Sequence, residues 1–191
     1  MAIPNTAKVA VLEGKVTGAI FVAPVETALP TDATTALSGF TCLGFTSDEG
    51  ITISEDASNN SLRVWEGRTE VRNARTEYTE KISFTPVECN ADVAKLIWGD
   101  DKVTVGDGGE LTIKHHGAEM APVHIVIEAV PYAGAVARYT AKAQLTERGD
   151  VTGNGQDFAG RQLTFNCLGV NGVTMTEYVA PVSAVTTTTG A

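Results

Sequence analysis

Side chains alternate along residues 75–85. Tyr78, Ile82 and Phe84 fall on one face, and Arg75, Glu77, Thr79, Lys81, Ser83 and Thr85 on the other. A period of two predicts a strand with one wet side. Glu80 falls on the apolar face and is the exception. The period then changes. Asn90 can accept from the first free amides of a helix, and Asp92 stands where the helix dipole favours an anion. Val93, Leu96 and Ile97 form an apolar stripe, joined by Trp98, and Gly99 is placed to end the turn. The spacing predicts one helix of about two to three turns.

On both sides of this helix the pattern is that of short strands. Residues 17–25, "TGAIFVAPV", are apolar and β-prone, and residues 26–39 read as a loop rich in Thr, Ala and Pro. "FTCLGF" and "ITISE" follow, joined by a tight turn at 47–50. Residues 56–61 read as a polar break and "LRVWEG" as a short strand. Beyond the helix, "ELTIKHH" is a strand, and Val123, Ile125, Ile127 and Ala129 face one way in the next. Ala137, Tyr139, Ala141, Ala143 and Leu145 then alternate with Arg138, Thr140, Lys142 and Gln144. "GDVTGNGQD" is a Gly-rich turn, and Leu163, Phe165 and Cys167 alternate again. Roughly eight or nine short strands and one helix predict a mainly β fold, a β-sandwich or partly open barrel with one short flanking α-helix. The expected division is an N-terminal arm at 1–16, a single β domain at 17–178 and a flexible, low-complexity tail at 179–191.

Composition narrows the function. The 191 residues are 43% hydrophobic, enough for one sizeable core. The formal net charge of −9 argues against a reader of nucleic acid, which needs a basic patch to displace counterions. No apolar stretch approaches the roughly 20 residues of a membrane span. The first residues lack the apolar core of a signal peptide, so synthesis and folding in the cytoplasm are expected. Cys42, Cys89 and Cys167 are odd in number and lie in apolar surroundings. They predict buried thiols rather than a disulfide framework.

Motifs for chemistry are sparse. His115, His116 and His124 stand in no zinc-binding spacing, and there is neither a nucleophile elbow nor a phosphate loop. Asp100, Asp101, Asp107, Asp150 and Asp157 lie near glycines but lack the calcium-loop spacing, so plain turns are expected. No catalytic residue, metal or cofactor is predicted. A glycan hydrolase would need paired carboxylates beside aromatic platforms, and only 6% of residues are aromatic.

Two segments carry a resemblance. "FVAPVETALPTDATTALSGFTCLGFTSDEGITISED" pairs an entry strand and a long loop with an "LGFTSDEGITI" hairpin, and "TEYTEKISFTPVECNADVAKLIWGDD" pairs a long strand with a capped helix and an acidic exit. Together they resemble the major tail tube proteins of long-tailed bacteriophages, especially those of actinobacterial hosts. The resemblance covers residues 17–130 and is carried by order and spacing rather than by any single residue.

It implies a structural virion protein, not an enzyme. Such subunits form hexameric rings that stack into a hollow tube through which DNA is ejected. The implied partners are further copies of the chain and other tail proteins: tape measure, terminator and tail tip. DNA would pass without specific binding. The C-terminal immunoglobulin-like domain of some relatives is not expected after the threonine run. An acidic lumen repels DNA weakly and lets it slide, which makes Glu66, Glu70 and Glu77, then Asp48 and Glu49, the lumen-facing candidates. Arg63, Arg68, Arg72 and Arg75 are the candidates for pairing with acids across subunits. A tail terminator, baseplate subunit or secretion-tube protein is the alternative within the same fold.

Overall fold

The alternation at residues 79–86 is realised as a strand whose every second side chain is buried, Glu80, Ile82, Phe84 and Pro86 pointing inward. In the computed structural model, residues 12–132, 135–151 and 160–181 are described. Residues 1–11, 133–134, 152–159, which hold most of the Gly-rich turn with Asp157, and 182–191 lie outside them.

The chain runs β1 (Glu13–Gly14), β2 (Ile20–Pro24), β3 (Thr41–Cys42), β4 (Thr46–Arg63), β5 (Glu70–Pro86), α1 (Ala91–Trp98) and a 3-10 turn (Asp100–Lys102). It continues through β6 (Val103–Val105), β7 (Leu111–Ile113), β8 (Val123–Val130), β9 (Ala135–Arg148), β10 (Leu163–Cys167) and β11 (Met175–Pro181). Nine strands form one antiparallel sheet ordered β3-β2-β8-β9-β10-β5-β4, with β1 beside β8 and β11 beside β9. β6 and β7 form a separate hairpin. The architecture is mainly β, a sandwich or partly open barrel with α1 packed against it.

The core joins the inner faces of β2, β5, β8, β9 and β10 to the apolar stripe of α1. Ile82, Phe84, Ile125, Ile127, Leu163 and Phe165 are its fully buried centre. Phe84 and Phe165 stack at 5.6 Å between centroids across adjacent strands. The helix begins where the sequence places it: Asn90 accepts from the Val93 amide at 2.8 Å, and its side-chain amide donates to the Leu43 carbonyl at 3.3 Å. Gly99 at φ 90° ends it, its amide donating to the Lys95 carbonyl. Val93, Leu96, Ile97 and Trp98 are buried.

Several local expectations change. The tight turn at 47–50 and the polar break at 56–61 are both absorbed into the 18-residue β4. The irregularity at 47–50 survives as a register shift between Thr46 and Ile51. "LRVWEG" is not a strand of its own; it ends β4 and enters the turn to β5. A polar sequence extends as strand here because β5 supplies hydrogen bonds along its whole length, which local propensity does not report.

The polar face of β9 is not wet. Arg138 and Thr140 are 2% and 4% exposed. The loop at 26–39 lies over this face, with the Arg138 guanidinium donating to the Asp32 carbonyl at 2.8 Å and the His124 ring bonded to the Thr27 carbonyl at 2.8 Å. Both faces of β8 and β9 are therefore buried, and alternation no longer separates inside from outside.

The cysteines are all free. Cys167 is buried, Cys42 half-buried and Cys89 exposed. Cys89 departs from expectation because it lies where the chain leaves the sheet for α1, between Pro86 and the capping Asn90.

Candidate functional site

The feature that stands apart from the fold is the β4–β5 hairpin. β5 pairs with β10 only over Lys81–Phe84, yet it pairs with β4 from Pro86 out to Glu70. Beyond Ser54 and Lys81 the two strands have only each other, and nearly every side chain is exposed. About ten residues per strand at roughly 3.3 Å each give an arm of about 30 Å. Two-stranded ribbons bury too little to be stable alone in water, so an arm of this length calls for a partner surface.

The tip is built by backbone conformation. Gly67 and Arg68 both take left-handed φ angles, 67° and 54°. Such angles suit the right-handed twist of a hairpin, and Gly67 adopts one without steric cost. The Val64 amide donates to the Thr69 carbonyl at 3.0 Å and closes the turn.

Onto this tip the fold gathers Arg63, Glu66, Arg68, Glu70 and Arg72, all exposed. Arg63 and Glu70 approach to 3.9 Å within one subunit. Both side chains are largely in water, so the pair contributes little to stability. Arg75 and Glu77 lie midway along the ribbon, opposite Asn59 and Ser58, and the Arg75 guanidinium sits 5.3 Å from the Tyr78 ring centroid. Asp48 and Glu49 lie at the opposite end of β4, in its irregular opening stretch. The five acidic positions thus spread along the hairpin rather than forming one patch.

Two features escaped sequence reasoning. Trp65 at the tip is 95% exposed, beside exposed Leu62 and Val71. Its signal was available: "EGR" between two β-prone runs marks a turn, which puts a flanking indole outside any core. The other is a buried ion pair. Glu128 on β8 stands opposite Arg138 on β9, 6% and 2% exposed. The Arg138 Nε donates to Glu128 Oε1 at 3.0 Å, a second guanidinium nitrogen meets the same oxygen, and Lys15 Nζ reaches Oε2 at 2.5 Å. Its signal was one charge of each sign inside the apolar runs "IVIEAV" and "AVARY".

Elsewhere, polar chemistry is turned inward to backbone. The His116 Nε2 bonds to the Trp98 carbonyl at 2.6 Å while its Nδ1 accepts from the Ala118 amide at 3.0 Å. His115 lies flat on the Trp98 indole at 3.9 Å, and Arg148 sits 4.7 Å from the same ring centroid. Glu80, the exception on the apolar face, is buried and accepts from the Thr174 hydroxyl. Asp32 caps its own loop, accepting from the Thr34 and Thr35 amides at 2.6 Å each. The Thr35 hydroxyl and these amides hold the Asp32 carboxyl far below the usual carboxylate range. These groups order loops and strand ends; among the described residues the arm is the part that reaches outward.

A long hairpin projecting from an antiparallel sheet with open borders agrees with a family match. The family model described as phage tail tube protein covers residues 8–189. The chain belongs to the phage tail tube protein family. Members are structural proteins of the virion tail, and membership implies assembly with itself and with other tail proteins. A search of curated proteins returned no match. In a tail tube protein the working surface is an interface between subunits, which is why the hairpin, rather than a pocket, organises the candidate site.

Proposed function

We propose that the chain is the major subunit of the tail tube of a long-tailed phage, made in the host cytoplasm and closing into hexameric rings that stack into a conduit for DNA ejection. The observation that carries this reading is the unfinished sheet. β4 is an 18-residue border strand whose outer edge is unpaired among the described residues, and the short β3 is the opposite border. Edges of this length invite pairing, and a ring satisfies every copy at once by joining one border to the next. The arm supplies a second contact set along the axis, which converts a ring into a tube.

Charge supports the conduit. Duplex DNA carries about one negative charge per 1.7 Å of axis, so a bore lined by basic groups would hold it at each ring. A chain of net charge −9 can line the bore with acids. We place Glu66, Glu70 and Glu77 there first, then Asp48 and Glu49, with Arg63, Arg68, Arg72 and Arg75 turned to neighbouring subunits. The tape measure, the terminator and the tail tip are the remaining partners, and DNA passes without specific contacts.

The test is electron microscopy of the purified chain at rising concentration. Tubes of uniform bore built from six-fold rings are expected. Particles that stay monomeric at every concentration would sink the reading, and rings that never stack would assign the chain to a terminator instead.

A further inference from the structure

We propose that Trp65 is the anchor by which one copy of the chain seats on the next, entering the groove between β2 and α1 of that neighbour. This rests on the tube reading and specifies which surfaces meet.

Trp65 stands in water in the turn that Gly67 and Arg68 complete. It contributes nothing to its own core, being absent from the apolar cluster. Tryptophan and arginine are the residues most enriched among those that dominate protein interfaces. Here one tryptophan and Arg68 share the turn, with Arg63 and Arg72 on the strand ends beside it.

The groove is a cleft of about 560 Å³ with Val22, Pro24, Leu96 and Val123 among its apolar lining. Its rim carries Glu26, Asp92, Asp100 and Lys95, a balance of two negative charges. Lys95 is already bonded to Asp100 at 2.8 Å. Glu26 and Asp92 form no ion pair among the described residues, and neither do Arg68 and Arg72 on the tip. With Glu66 and Glu70 turned to the bore, the tip presents Arg63, Arg68 and Arg72 to the neighbouring copy, a positive surface in a chain of net −9. An apolar knob with spare cations therefore matches an apolar slot with spare anions. The exposure of Trp65 shows that a copy does not fill its own groove. Tip into groove is a head-to-tail contact between different surfaces, so it repeats from copy to copy instead of stopping at a dimer.

The full chain carrying Cys89→Ser, which removes the exposed thiol, is the background for the test. Thr69→Cys, an exposed tip position that leaves Trp65 in place, and Ala121→Cys, an exposed position on the groove wall, are combined and oxidised mildly under conditions where the unmodified chain forms tubes. A ladder of disulfide-linked copies is expected from the double variant and from neither single one. Tubes without that ladder would overturn the contact while leaving the tube reading intact; failure of the unmodified chain to assemble would remove both. Trp65→Ala should raise the concentration needed for assembly about thirtyfold, with an unchanged circular dichroism spectrum and recovery in Trp65→Phe. Assembly at the unmodified concentration would refute the anchor. So would a Trp65 emission that shifts to the blue only on adding another tail protein, since the occupant would then be a different chain.

Discussion

Replacing Arg138 by alanine should cost more than any surface change, and the structure sets the size. The guanidinium is 2% exposed, holds Glu128 by two nitrogens and donates to the Asp32 carbonyl. Its removal leaves the Glu128 carboxylate buried with Lys15 as its remaining partner and leaves the loop carbonyl without its donor. Breaking a buried pair by deleting one member costs about 3–5 kcal/mol. An orphaned buried carbonyl alone costs about 1–3 kcal/mol, and Lys15 offsets part of the total. Arg138→Ala should therefore lose about 3–5 kcal/mol of the roughly 5–15 kcal/mol that a domain has. Replacing both partners, Glu128→Leu with Arg138→Leu, removes two desolvated charges together and should cost far less than the single change. Urea unfolding of dilute, unassembled protein measures both, with the emission of buried Trp98 reporting the core. Proteolysis within 26–39 should accelerate in the single variant, since Arg138 fastens that loop. A single variant losing under 1 kcal/mol, or a double variant as damaged as the single, would refute the reasoning from desolvation.

Asn90→Ala removes a helix cap and should cost about 1 kcal/mol, while Leu96→Ala, within the core, should cost about 2–5 kcal/mol; thermal unfolding checks both. Burial, and after it Glu80, pushes the Cys167 thiol up to about 12, and burial with Glu177 pushes Tyr139 up to about 12. Both folded values lie above the ordinary ones, so both groups keep their proton in the folded state. The stability they contribute is complete below about pH 9 and is lost as pH rises toward 12. Cys167→Ala should flatten that alkaline decline, and an unchanged pH profile would contradict the burial. Glu70→Lys with Glu77→Lys should leave folding intact, since both side chains are exposed, and slow DNA ejection; unchanged ejection would remove these acids from the bore.

The local rules read along the chain were enough for the elements whose causes are local. Asn90, Asp92, the stripe at Val93, Leu96 and Ile97, and Gly99 specify the helix because capping and amphipathicity act within a few residues. The inner face of β5 was legible at Ile82 and Phe84, where one side of the strand is core and the other is not, whereas Tyr78, read onto the same apolar face, is exposed because the strand has already left the core for the arm. The family was legible as well, since the order of strand, long loop, hairpin and capped helix is itself a sequence property. What tertiary structure alone decided is everything that depends on a distant partner. The polar residues 56–61 became strand because β5 lies beside them. Arg138 and Glu128 are core because a loop a hundred residues earlier folds over their face. Trp65, the most hydrophobic-looking residue of its segment, stands in water because it lies in the turn that joins β4 to β5. Periodicity reports only whether neighbouring side chains share an environment; which environment that is depends on what the rest of the chain, or the next copy of it, lays against them.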